Sequence, residues 1–176
     1  MALRKIMTEQ EAPLNKNCRL VTNFDDRLHT LIDDMVETLK ASDGVGLAAP
    51  QVGVLRRVVI VLDGENYLEL VNPEIILQEG EQDGLEGCLS VPDVWGLVKR
   101  PEHVIVRAQD QDGNTIEAEG WDLTARAFCH ELDHLDGHLF TEKVYHYLEG
   151  EELEEYLQAQ NADADEDGFS EEASER

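Results

Sequence analysis

The chain has 176 residues, 41% hydrophobic and 30% charged, the size and balance of one globular domain with a sizeable core. No apolar run approaches the roughly 18 residues that span a bilayer, and the opening Met-Ala-Leu-Arg-Lys-Ile lacks the apolar core and cleavage site of a secretory signal. A net charge of -25 argues against nucleic acid and anionic membrane as partners, and three irregularly spaced cysteines (Cys18, Cys88, Cys129) fit a reducing cytoplasm rather than a disulfide framework.

Leu28, Leu31, Ile32, Met35, Val36 and Leu39 recur at three- and four-residue steps, which predicts a helix over 25–40 with a core-facing stripe. Asp43-Gly44 is expected to stop it, glycine supplying a left-handed turn. The β-branched run 58–62 and the segment 67–77 read as strands joined by turn chemistry at Asp63-Gly64-Glu65-Asn66. Glu86 to Ser90 is expected between a glycine-rich loop and a turn at Pro92. Residues 103–108 and 115–118 flank Asp112-Gly113, a hairpin signal. A second helix is expected over 124–135, ended by Asp136-Gly137, and a third over 142–160 with a break at Gly150. Beyond Asn161 the chain is acidic and nearly free of apolar groups, so disorder is expected; residues 149–176 carry -11, leaving -14 for the rest. The expected organisation is a domain over 1–160 and an acidic tail over 161–176.

The fold class is α+β: mixed or antiparallel sheets packed around a central metal-binding helix, with helices near both ends. That metal assignment comes from His130-Glu131-Leu132-Asp133-His134. On a helix, residues four apart share a face, so both imidazoles can hold one ion while Glu131 reaches its open side. This is the pattern of a hydrolase that activates water on a metal. A surface helix carrying two histidines is the plain alternative, and two ligands normally need a third. Cys88, in Glu86-Gly87-Cys88-Leu89-Ser90, offers a thiolate that suits zinc or ferrous iron, though an isolated cysteine is more often a small buried hydrophobe.

Three stretches in this order and spacing, Gly44-Val45-Gly46-Leu47-Ala48-Ala49-Pro50-Gln51, Glu86 to Ser90 and His130 to His134, together closely resemble the signature motifs of the iron-type peptide deformylase family over residues 4–148. The resemblance implies that Cys88, His130 and His134 bind one divalent metal, Fe2+ first, with Zn2+, Ni2+ or Co2+ as alternatives. It implies Glu131 as general base and then acid, and Gln51 with the Leu89 N–H as donors to the formyl oxygen. Gly46, beside Val45, offers backbone to the substrate. The implied reaction is attack of metal-activated water on the formyl carbon of N-formyl-methionyl nascent peptides, releasing formate and a free N-terminus. A cytoplasmic monomer working near the ribosome, without contact to nucleic acid or membrane, is the expected setting.

Several features are set aside. His138, four residues past His134, lies beyond Gly137, and the downstream ligand spacing of metzincins is missing, so it reads as a loop residue. Cys129 points about 100° away from His130 around the helix and reads as core. Cys129 also departs from the glutamine usual in the family. Asp163, Asp165, Asp167 and Gly168 imitate a calcium loop but Ser174 stands where glutamate is needed. Glu86 and Arg100 are expected to pair structurally. Trp95 is an ordinary aromatic or a substrate contact, and Arg126 approaches the cleft or a buried carboxylate. Two other functions compete: a zinc protease of the His-Glu-x-x-His type and a binding protein without catalysis. The upstream cysteine argues against the first, and the intact set Gln51, Cys88, His130, Glu131 and His134 against the second.

Overall fold

Val58, Val59, Ile60 and Val61 are all buried, and alternate residues of this run face opposite cores. Val58 and Ile60 meet Leu31, Ile32, Met35 and Leu39 of the first helix; Val59 and Val61 meet Ala125, Phe128, Leu132 and Leu135 of the second. One sheet is therefore covered by a helix on each face, which explains why the strand reads as a continuous apolar run. The computed structural model describes residues 1–11 and 13–168.

Helix α1 (Asp26–Lys40) starts where the Asp25 carboxylate accepts from the Arg27 and Leu28 N–H groups, both at 3.1 Å. It ends on Ala41 in a right-handed conformation, so the expected glycine cap is not used. Gly44 instead makes room: a Cβ there would fall 2.7 Å from Leu89 Cδ1. The larger sheet has the order β1 (Gly46–Ala48), β2 (Val58–Asp63), β3 (Asn66–Glu79), β6 (His103–Gln109), β7 (Thr115–Trp121), every pairing antiparallel. The Asp63–Asn66 and Asp112-Gly113 turns fall where the sequence puts them.

A second sheet pairs β4 (Gln82–Cys88) with β5 (Val91–Arg100) and a two-residue β8 (His146–Tyr147). This corrects the reading of 86–92 as loop and turn: Pro92 lies inside β5, and the hairpin turns at Leu89-Ser90. Helix α2 (Asp122–Leu135) begins two residues before its expected start and stops before Gly137, whose φ of +79° supplies the left-handed exit. The third helix is shorter at its front than expected, because 142–149 is a 3-10 turn, a loop and β8; α3 runs Gly150–Gly168. The helical backbone thus passes Asn161, and the rest of the expected disordered tail, 169–176, lies outside the described residues. No helix among the described residues is long and apolar enough to cross a membrane.

Candidate metal centre and active site

Helix α2 has one face in the core of the large sheet, and that burial aims His130, Glu131 and His134 at the β4–β5 hairpin. Cys88, at the end of β4, brings its sulfur to 3.3 Å from His134 Nε2, and one donor atom from each of Cys88, His130 and His134 lies within 4.8 Å of the others. A tetrahedral ion with Zn–S and Zn–N bonds of about 2.3 and 2.1 Å needs donor separations of roughly 3.5 Å, so the three donors suit one ion.

The ring nitrogens are committed accordingly. His130 Nδ1 donates to Glu86 Oε2 at 2.9 Å, which leaves Nε2 for a ligand. Burial would lower His130, but hydrogen bonds to Cys88 and Glu86 outweigh it and raise the ring to about 10. A metal must displace this proton from Nε2 to bind, so its binding releases a proton. Burial and the neighbouring His130 push His134 down to about 3, keeping it a neutral imidazole, the form that ligates metal.

Glu86 is the anchor behind this arrangement. Burial alone would raise its carboxyl, yet the hydrogen bonds and charges of His130 and Arg100 hold it well below the usual carboxylate range. Arg100 grips it through Nε and Nη2 at 2.7 and 3.0 Å, and Arg126 Nη1 adds a bond at 2.9 Å. Arg100 Nη1 also reaches Asp133, which Lys143 holds from outside. Arg126 therefore serves the buried carboxylate; the sequence had left its partner open. The Glu86–Arg100 pair stands as expected.

Glu131 is buried where it lines the cleft, and among the described residues its Oε2 has no hydrogen-bond partner. Burial pushes its carboxyl up to about 7, the range of a general base working at neutral pH. An orphaned acceptor beside three metal donors fits a water held between them. Gly46 makes room for it, since a Cβ there would fall 2.4 Å from Glu131 Oε1.

Gln51 sits in a 3-10 turn, Ala49–Val52, closed by Gly53 at φ +82°. Its Oε1 accepts from the Ala48 N–H at 2.8 Å, so its amide nitrogen faces Ser90 Oγ (3.2 Å) and Cys88 Sγ (3.6 Å). Ser90 is a buried partner to which the sequence reading gave no role. Gly46, Gln51, Cys88, Leu89, His130 and Glu131 all line one cleft of about 540 Å3. Val45 and Trp95 stand on its walls, with Trp95 packed where a side chain on Gly87 would be (2.5 Å to Cζ3). A larger groove, about 660 Å3, lies at Arg57, Cys129 and Lys143 and contains none of the three donors. Chemistry singles out the smaller cleft. Cys18 and Cys129 are buried free thiols, Cys18 raised to about 11 and Cys129 raised as well by burial. His138 pairs with Glu142 away from the site.

An α+β fold presenting a Cys-His-His donor set, a buried base and a side-chain amide in one cleft defines a mononuclear metal-dependent hydrolase. A family model described as polypeptide deformylase matches residues 3–148, and the chain belongs to that family. The peptide deformylase of Caldicellulosiruptor bescii is 54% identical over 155 residues, covering 88% of this chain and 93% of that one. That of Acetivibrio thermocellus is 53% identical, covering 88% and 91%. The crystal structure of peptide deformylase from Thermotoga maritima superposes with a TM-score of 0.78 at 35% identity, covering 82% of this chain and 99% of that one. A Legionella pneumophila peptide deformylase gives 0.77 at 37% identity, covering 99% of each.

Proposed function

We propose that the protein hydrolyses the formyl amide of N-formyl-methionyl nascent peptides, with Glu131 carrying the proton. The observation that carries this reading is the partnerless Oε2 of Glu131, buried next to the Cys88, His130 and His134 donors. A divalent cation held by these three residues supplies Lewis acidity, which makes water nucleophilic near neutral pH and polarises a carbonyl. Glu131 takes the water's proton as the oxygen adds to the formyl carbon, then delivers it to the departing amine. The amide of Gln51, aimed by the Ala48 N–H, and the Leu89 N–H donate to the carbonyl oxygen as charge builds on it. Val45 and Gly46 offer the peptide backbone along the cleft wall. Ferrous iron is the ion assigned, with Zn2+, Ni2+ and Co2+ accepted by the same donors according to availability.

The setting is a cytoplasmic monomer that meets peptides emerging from the ribosome; its charge of -25 is repelled by RNA phosphates, so proximity comes through the peptide. Formate release from formyl-Met-Ala-Ser, with iron or nickel supplied anaerobically, tests the function. Steady turnover is expected; none from metal-loaded protein overturns it.

A further inference from the structure

The chain carries 39 acidic residues against 14 basic ones, so a cation is surrounded by carboxylates and seldom lacks a partner. Among the described residues, four nevertheless enter no ion pair and no side-chain hydrogen bond: Lys16, Arg19, Arg27 and Arg56. Three of these four lie together. Arg27, in the first turn of α1, and Arg56, in the bend before β2, line one pocket of about 340 Å3. Arg19 pairs with Arg56 in a short parallel bridge, which puts the two side chains on one face. Like charges facing each other on neighbouring segments are destabilising, and here no ion pair relieves them.

The pocket has the build of a small-molecule site. Val21, Leu28 and Leu31 are buried beneath it as an apolar floor, and its volume falls within the range of ligand pockets. Arg4 also lines it, but Asp34 holds that guanidinium at 3.1 Å. The one carboxylate on its wall is Asp25, which accepts from the Arg27 and Leu28 N–H groups at the start of α1. Three unpaired guanidinium groups less this carboxylate leave two positive charges in excess, which match a phosphate monoester near neutral pH. Planar guanidinium forks also fit phosphate oxygens two at a time. The pocket shares no lining residue with the metal cleft.

We infer that Arg19, Arg27 and Arg56 bind a small organic phosphate, its phosphate among the guanidinium groups and its apolar body on the Val21, Leu28 and Leu31 floor. Such a dianion supplies the countercharge that these arginines lack within the fold. The test titrates AMP, adenosine or inorganic phosphate at low salt into the full-length, zinc-loaded protein and follows backbone amide shifts by NMR. Saturable AMP shifts are expected at Val21, Thr22, Arg27 and Arg56, with a Kd below about 1 mM. Adenosine, which lacks the charge, and inorganic phosphate, which lacks the apolar body, each bind at least about ten-fold more weakly. Salt near 0.5 M weakens AMP binding, because screening shortens to a few ångströms. Arg27→Gln/Arg56→Gln weakens it about ten-fold or more, with amide positions away from the pocket unchanged. AMP shifts that are absent at about 10 mM, or confined to the metal cleft, overturn the inference. So does adenosine or inorganic phosphate binding as tightly as AMP, or AMP affinity unchanged in the double variant.

Discussion

Gly46→Ala is the sharpest perturbation of the base that leaves its chemistry untouched. The added methyl would stand 2.4 Å from Glu131 Oε1 and 2.8 Å from both Cδ and Cγ, where ordinary contacts are about 3.4 Å or longer. Glu131 is buried, so its carboxylate has to shift by about 1 Å, a misplacement that costs on the order of 100-fold in rate. That corresponds to about 2.7 kcal/mol of lost transition-state stabilisation. The backbone itself tolerates alanine, because Gly46 lies in a regular strand opposite Val61 and is not left-handed. Formate-release kinetics, a thermal melt and metal content together separate the effects. The expected result is kcat down about 100-fold with the metal retained and the melt changed by no more than about 1 kcal/mol. Near-normal kcat would refute the reasoning, as would a rate loss matched by unfolding.

Other expectations follow from the same geometry. Glu86→Ala strands Arg100, Arg126 and His130, so stability falls by about 3–5 kcal/mol in a denaturant melt and metal affinity by about 10–100-fold. Glu86 has a folded pKa below its ordinary 4.5, so its contribution to stability is complete above that value and is lost as pH falls beneath it; Glu86→Gln flattens this acid limb in melts at successive pH values. Gln51→Leu removes the side-chain donor and lowers kcat by about 10²–10³ in formate release, with metal content unchanged. In metal-free protein the Glu131 carboxyl titrates near 7 by carbon NMR, and loading a cation lowers it, because positive charge favours the anion.

Helices α1 and α2 and the His130/His134 pair were legible because each rests on spacing, whereas Cys88 and Gln51 were picked out only by the family resemblance. The β4–β5 hairpin was not, because Gly84, Gly87 and Pro92 resemble turn punctuation. In the fold the two glycines serve close approach instead. A Cβ on Gly84 would meet the Arg126 guanidinium at 3.0 Å, and one on Gly87 would enter the Trp95 ring. Arg126 is distant in sequence and Trp95 lies across the hairpin, so neither contact shows until the strands are paired. Gly44 misleads the same way, its small size serving Leu89 and not the end of α1. The anchoring of Glu86 by two arginines from separate elements is likewise tertiary, which is why Arg126 had no assignable partner from sequence. Where local pattern dictated residue 142 onward as helix, pairing of His146 and Tyr147 with β5 prevailed.

The central claim, that Glu131 moves the proton in a site whose metal is held by other residues, is tested most directly by Glu131→Ala. Metal content and formate release are measured on the same anaerobic preparation. The account predicts bound metal equal to the unaltered protein and a rate lower by about three decades or more. Turnover within ten-fold of normal, or metal lost together with activity, would contradict it.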